Sequence, residues 1–300
     1  MAHKILITGA SGIIGSELTA QLINRGQSVS HLSRATKNGK VPSFEWNIPS
    51  SKINLNAFSG VDTIVHLAGA GVADKRWTPA RRSEILESRI KSTQLLFEAL
   101  KNNSNNVRTF VSASAIGYYG FEEDKVFIES DISGKDFLSQ VTKQWEDEVD
   151  KISSLGIRVV KIRIGIVLSR TGGALEKIKQ PISFFVGSPL GSGKQFMSWI
   201  HIDDLISIFL KAIEDEKMVG TYNAAASWST NEEMTKAIAG VLRKPIWLPN
   251  VPSFILKIVL GEMASIILNG NKVSSEKITK EGFQFKFPKL EEALTDLIRT

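Results

Sequence analysis

Residues 4–15 read KILITGASGIIG (Lys4–Gly15), and the order of residue types in this stretch decides the fold. Lys4–Thr8 is a short apolar run with β-branched residues, which predicts a strand buried on both faces. Gly9–Gly15 follows as a turn, and a helix is expected from Ser16, because Ile14, Leu18 and Leu22 recur at a spacing of four and Gly26 supplies a stop. Between strand and helix, the glycines permit a tight turn and let the backbone approach a pyrophosphate, whose charge would sit at the positive helix N-terminus. Gly9, Ser11, Gly12, Ile13, Ile14 and Gly15 are therefore candidate contacts to a dinucleotide. A structural strand-to-helix turn with no ligand is the competing reading.

The same alternation continues outward from this unit. Strands are expected at Val29–Ser33, Thr63–Ala68, Thr109–Ala113 and Arg158–Ile164, with helices at Ser83–Leu100 and Phe137–Ser153 between them. Strands alternating with helices imply right-handed crossovers and a parallel sheet, so the predicted fold is α/β, a Rossmann-type doubly wound sheet. After Gly165 the rhythm breaks into a loop-rich region with glycines at 172, 173, 187, 191 and 193. Helices are expected at Asp203–Asp215, Asn231–Leu242, Pro252–Leu268 and from Leu290, with a short aromatic strand signal at Phe283–Phe287. The expected division is a nucleotide-binding domain over 1–165 and a smaller, mainly helical cap over 166–300, returning to the sheet around 195–225.

Composition narrows the function classes. The 300 residues are 42% hydrophobic and 23% charged, which excludes disorder and leaves enough apolar material for a sizeable core. There is no cysteine, so disulfides, thiolate metal sites and cysteine nucleophiles are excluded, and a cytoplasmic location is the expectation. The net charge of +6 comes from scattered Lys and Arg without a basic arm, which favours anionic small molecules and argues against nucleic acid. Met1–Ile7 does not read as a signal peptide. Leu248–Leu268 is broken by Lys257 and Glu262, so it predicts a buried amphipathic helix and no membrane span. The four histidines lack ligand spacing, and no metal site is expected.

The end of the second strand bears on which dinucleotide would bind. An acid there would hold a free ribose 2′-hydroxyl, but Ser33 and Arg34 occupy the place and no acid occurs until Glu45. Arg34, with Lys37 as a second candidate, could pair a 2′-phosphate, so NADP(H) is preferred over NAD(H). A solvated surface role is the alternative for Arg34. Gly191–Lys194 mimics a phosphate-binding loop, but Ser188 stands at the leading glycine position, Gln195 replaces the required hydroxyl residue and no strand precedes it.

Together with Gly9–Gly15, the segments VDTIVHLAGAG (Val61–Gly71), SASAIGYYG (Ser112–Gly120) and WIHIDDL (Trp199–Leu205) resemble an atypical extended short-chain dehydrogenase/reductase. More narrowly, FLSQVTKQWE (Phe137–Glu146) and GSGKQFMSWIH (Gly191–His201) are similar to the NAD-dependent epimerase/dehydratase family that ends in a short helical C-terminal domain. The resemblance covers nearly the whole chain. It implies that Leu67, Ala68 and Gly69 line the cofactor, that Ser112 lies near the nicotinamide half, and that Ser114 matches the family's active-site Ser or Thr. Tyr119 with Gly120 resembles the Tyr-Gly pair that follows that serine. Ser114 and Tyr119 are thus the candidate catalytic pair.

The departure from the family is specific. Its usual Tyr, three residues, Lys relay falls near Leu138 and Thr142, and a shift by one gives Ser139 and Lys143, which restores the lysine without the phenol. Arg89 stands where an asparagine is usual. Substitutes for proton handling would be Tyr118, Tyr119, Ser114 or His201, and Trp77 and Trp199 are expected near the cleft. The leading reading is an NADP(H)-dependent oxidoreductase or epimerase acting on a small polar or anionic substrate, with a homodimer as a candidate assembly. The second is a catalytically weakened NADP(H)-binding regulatory protein working through a protein partner, with a link to cell division among relatives of this subgroup.

Overall fold

The computed structural model describes residues 3–35, 39–122 and 124–299. In chain order the strands are β1 (Lys4–Thr8), β2 (Ser28–Ser33), β3 (Ser43–Asn47), β4 (Lys52–Ile53), β5 (Thr63–His66), β6 (Thr109–Ala115), β7 (Val126–Phe127), β8 (Arg158–Ile164), β9 (Ile166–Leu168), β10 (Phe196–His201), β11 (Gly220–Ala224), β12 (Ser227–Thr230) and β13 (Lys272–Val273). The helices are α1 (Ile13–Asn24), α2 (Pro79–Asn102), α3 (Phe137–Asp150), α4 (Gly173–Ser183), α5 (Ile202–Glu214), α6 (Asn231–Leu242), α7 (Ser253–Leu260), α8 (Ser265–Leu268), α9 (Glu276–Lys280) and α10 (Leu290–Arg299).

β1 sits between β2 and β5, parallel to both. The chain runs outward through β2, β3 and β4, then crosses back to build β5, β6, β8 and β11, giving the order β11-β8-β6-β5-β1-β2-β3-β4. Within this sheet, among the described residues, only the β3–β4 edge pair is antiparallel. The direction of winding reverses between β1 and β5, and the crevice beyond the carboxyl ends of the strands at such a reversal is where open α/β sheets take ligands. Helices cover both faces: α1 packs against α5, and α2 packs against α3. Both faces being buried explains why β1 and β5 read as unbroken apolar runs.

Cap residues mark the helix starts: α6 begins where the sequence predicts it, whereas α2 begins four residues ahead of the expected Ser83. α2 starts after Thr78, whose hydroxyl accepts the Arg81 N–H, with Pro79 in the first turn. α6 starts in a reciprocal Thr230–Glu233 capping box. α10 buries Leu290, Ala293, Leu294 and Leu297, the spacing of one helical face.

Two expectations fail. The apolar stretch Pro252–Leu268 is not one buried helix: Gly261, at φ 63°, ends α7, a tight turn follows, and α8 is separate. α7 has no buried residue, and Phe254, Ile258 and Val259 are exposed. Phe283–Phe287 forms no strand. Its aromatic residues at 283 and 287 instead plug the core, while the backbone of Lys286 and Phe287 bonds to a side chain rather than to a neighbouring strand. Among the described residues no helix is long and apolar enough to cross a membrane.

That side chain is Asp204, and it assigns the WIHIDDL segment. Asp204 is 1% exposed, its Oδ1 accepts the Lys286 N–H at 2.7 Å and its Oδ2 the Phe287 N–H at 3.0 Å. His201 caps α5 by accepting the Asp203 N–H on Nδ1, stacks on Phe287 at 3.9 Å between ring centroids, and faces Asp296 of α10 with Nε2. His201 and Asp204 therefore fasten the C-terminal segment to the sheet domain, which corrects the candidate catalytic role of His201. Asp204→Ala would strand two backbone donors, costing roughly 2–4 kcal/mol. Urea unfolding should show that loss, and limited proteolysis should open new cuts between 280 and 290. A variant with the parental midpoint and cleavage pattern would contradict this anchoring.

Candidate functional site

The first loop is shaped by backbone touching backbone. Gly9 has φ +68°, and a Cβ there would lie 2.7 Å from the Leu67 carbonyl carbon and 2.9 Å from the Ala68 nitrogen. A Cβ on Gly15 would lie 2.6 Å from both Ala10 Cα and the Gly9 carbonyl oxygen. Only glycine fits either place, and the result is a turn pressed onto the chain leaving β5. The turn closes with Gly12 N–H donating to the Gly9 carbonyl at 3.0 Å. α1 begins at Ile13, three residues before the expected start, behind Gly12, which offers no side-chain cap. The first N–H groups of the helix thus lack the usual side-chain acceptor, and Ser11 and Gly12 beside them are exposed. This is the arrangement a phosphate would complete.

Under the loop runs a chain of hydrogen bonds that sequence reading did not anticipate. Thr8 Oγ1 accepts the N–H groups of Leu67 and Ala68 at 3.1 and 3.2 Å, so its proton goes to His66 Nδ1 at 2.8 Å. His66 must then carry its proton on Nε2, which donates to Thr93 Oγ1 at 3.1 Å, and Thr93 in turn donates to the Arg89 carbonyl at 2.8 Å. His66 is fully buried. Burial, with the charge of Arg89 adding to it, drives its pKa down to about 3, so the ring is a neutral connector. Histidine counting alone could not find this, because the partners are hydroxyls from β1 and α2 rather than metal ligands.

Ser114 and Tyr119 are brought into one buried network. Ser114 donates to Glu146 Oε1 at 2.5 Å, and Arg163 grips the same carboxylate with Nε and Nη2, both at 2.8 Å. Arg163 Nη1 donates to the Tyr119 hydroxyl at 2.9 Å, which donates to Asn223 Oδ1 at 2.6 Å. Burial opposes the charge on Arg163, but the hydrogen bonds and charge of Glu146 outweigh it and hold its pKa above the ordinary value. Burial pushes the Tyr119 phenol up to about 12 despite Arg163. The Ser114 proton is thus committed to a carboxylate, and the Tyr119 proton to an amide. Ser112 is also sealed, donating to the Ala113 carbonyl.

The remaining candidates divide by exposure. Ser33 is tied into its own turn, donating to the Ala35 carbonyl and lying 3.0 Å from Ser43 Oγ. Arg34 is exposed beyond β2, without a hydrogen-bond or ion-pair partner among the described residues. Lys37 lies outside the described residues. Leu67 and Ala68 are half-buried and Gly69 is exposed. A cavity of about 820 Å³ is lined by Trp77, Arg82, Phe137, Leu138, Lys257 and Glu262 among others. Leu138, at the place of the family phenol, is part of that wall, while Thr142 spends its hydroxyl on the Leu138 carbonyl. The shifted pair turns elsewhere: Ser139 bonds Asp136 and the Gly117 carbonyl, and exposed Lys143 pairs with Asp147. Trp77 lines the cavity, but Trp199 is 1% exposed and sealed in the core, contrary to expectation.

Comparison with known proteins finds relatives that span nearly the whole chain. Residues 5–142 match the NAD dependent epimerase/dehydratase family, and residues 251–297 match a domain of unknown function. An epimerase family protein of Staphylococcus saprophyticus is 37% identical, with 98% of each chain covered. The crystal structure of human epimerase family protein SDR39U1 with NADPH superposes with a TM-score of 0.88 at 30% identity, covering 99% of each chain. A nucleoside-diphosphate sugar epimerase of Corynebacterium glutamicum gives 0.79 at 31% identity, covering 98% of this chain and 57% of that one.

The buried imidazole makes stability depend on pH with a definite sign. The folded protein keeps His66 neutral down to about pH 3, whereas the unfolded chain protonates it near about 6.5. Its contribution is full above that value and is lost as pH falls, at about 1.4 kcal/mol per unit, or about 2 kcal/mol by pH 5. Urea unfolding of the wild type and His66→Gln at pH 7.5 and 5.0 isolates this share. The substitution should flatten the loss by about that amount, and equal losses in both proteins would contradict a neutral, buried His66.

Proposed function

The chain belongs to the NAD dependent epimerase/dehydratase family, and from that premise we propose that it binds NADP(H) across the β1–β5 crevice and acts as an oxidoreductase or epimerase on a small polar or anionic molecule. The observation that carries the reading is the uncapped start of α1 behind a turn that tolerates no side chain at Gly9 or Gly15. The N–H groups of Ile13 and Ile14 would take the pyrophosphate, with Ser11 and Gly12 beside them. Leu67, Ala68 and Gly69 would line the nucleotide. Arg34, without a partner among the described residues, would take a 2′-phosphate, with Ser33 fixing the turn that presents it. The human relative crystallised with NADPH supports the choice of the phosphorylated cofactor.

When bound, the nicotinamide supplies or accepts a hydride. The cavity beside Leu138 would hold the substrate, and its mixture of Trp77 and Phe137 with Lys257, Asp136 and the Arg82–Glu262 ion pair suits a polar molecule with an apolar face. The sugar-nucleotide epimerase relative is consistent with such a substrate class. Ser114 and Tyr119 would act as positioning residues, since each already donates its proton within the core. The same observation favours a second reading, in which the chain binds NADP(H) without rapid turnover and reports its occupancy to a partner.

Nicotinamide fluorescence titration tests the first part. NADPH should bind more tightly than NADH, and Arg34→Ala should weaken NADPH at least tenfold while leaving NADH unchanged. NADH binding without NADPH binding would overturn the Arg34 assignment. Turnover of bound NADPH against a panel of carbonyl compounds separates the two readings. With Ser114→Ala or Tyr119→Phe, thermal stability should fall while nucleotide affinity stays within about twofold, because these hydroxyls serve the core.

A further inference from the structure

α7 is mounted with its apolar face outward. Ser253, Lys257 and Gly261, at every fourth position, line the cavity beside Leu138, while Phe254, Ile258 and Val259 are 62%, 70% and 63% exposed. Water drives an amphipathic helix to do the reverse. Rolling α7 by one residue, about 100°, would carry Phe254 and Ile258 into the cavity and release Lys257 to solvent. Leu260 at the end of the helix joins the apolar cluster of Trp77, Ile85 and Met263 and holds α7 in the observed orientation, with an ammonium and a hydroxyl on the cavity wall.

The other polar groups on that wall are spent. Asp136 caps α3, its Oδ1 accepting the N–H groups of Leu138 and Ser139 and its Oδ2 the Ser139 hydroxyl. Arg82 and Glu262 pair at 2.5 Å, and the Arg82 guanidinium carbon lies 4.3 Å from the Phe137 ring centroid. Ser265, Asn269 and the Trp77 indole donate to backbone carbonyls. Lys257 and Ser253 have no partner among the described residues. One positive charge is therefore left over, beside a hydroxyl, in a cavity that also presents the edge-to-face rings of Trp77 and Phe137, 5.0 Å between centroids. We propose that Lys257 and Ser253 bind a carboxylate, so that the substrate is a monocarboxylic acid whose apolar body lies against Trp77 and Phe137. The ammonium and the hydroxyl donate to the two oxygens of one carboxylate, with the charge strengthening both bonds. A diphosphate ester brings more than one negative charge, and the wall offers it no second unspent cation among the described residues. This rests on the oxidoreductase or epimerase reading above and names the substrate class for the same cavity.

Isothermal titration of the full chain, with and without NADPH, tests this with phenylpyruvate and 2-oxooctanoate as acids, phenylacetone as a neutral analogue, and phenyl phosphate and UDP-glucose as phosphate esters. At least one acid should bind, and phenylacetone should bind about tenfold more weakly than phenylpyruvate. Lys257→Met should weaken the acids about tenfold without affecting phenylacetone, and Lys257→Arg should retain most of the affinity. Lys257 is exposed and unpartnered among the described residues, so the ligand-free melting temperature of both variants should stay at the parental value, which separates lost affinity from lost fold. Equal affinity for phenylacetone and phenylpyruvate, acid binding unchanged by Lys257→Met, tighter binding of phenyl phosphate or UDP-glucose than of both acids, or no acid binding would each overturn the assignment. Fluorescence titration of the same samples keeps the two readings apart. NADPH binding without acid binding overturns the carboxylate alone, whereas acid binding without NADPH binding leaves the Lys257 assignment standing and overturns the nucleotide reading.

Discussion

The site depends on one contact between bare backbones, the approach of Gly9 to the Leu67–Ala68 peptide at the reversal of the sheet. That approach closes the turn after β1, and Gly15 lets the next helix start on top of it. A methyl group at either glycine would meet main chain rather than a movable side chain, so the geometry could not adjust locally. Thr8 and His66 hold the same two strand ends from within, by hydrogen bonds whose donors and acceptors leave no choice of tautomer. An open helix N-terminus at the surface is thereby backed by a rigid, neutral interior.

The central sheet was legible because parallel strands buried on both faces leave continuous apolar runs, and because glycine-rich turns and caps punctuate them. β8 and α6 match their expected bounds for this reason. The two-residue strands β4, β7 and β13 were not legible, since so few residues carry no period, and the edge strand β3 (SFEWN) mixes polar and aromatic residues without an apolar run. The C-terminal region failed differently. The apolar residues of α7 promised burial, yet periodicity reports only that a face is apolar, not that anything covers it. At Phe283–Phe287 the aromatic alternation was real, but Asp204, some eighty residues earlier, captured the backbone that a strand would have needed.

Within the candidate site, the tight glycine turn after β1 could be read from the sequence, because it follows a strand end whose neighbour is fixed by topology. The roles of Ser114 and Tyr119 could not. Position along β6 says that Ser114 reaches the carboxyl edge of the sheet, but not that Glu146 and Arg163, from α3 and β8, are waiting to take its proton. The buried ion pair holds both hydroxyls in a fixed scaffold. Removing Glu146 would leave the Arg163 charge uncompensated in the core, whereas Glu146 has Lys161 as a second cation at 3.6 Å. Leu138 and Thr142 carry the same meaning, one an apolar wall and the other a hydroxyl spent on its own helix.

A crystal structure of the chain soaked with NADPH tests the central claim most directly. Pyrophosphate oxygens within about 3 Å of the Ile13 and Ile14 amides, with Gly9 still pressed on Leu67, is the result this account requires. Density for the nucleotide elsewhere, or a first loop that must open to admit it, would contradict it.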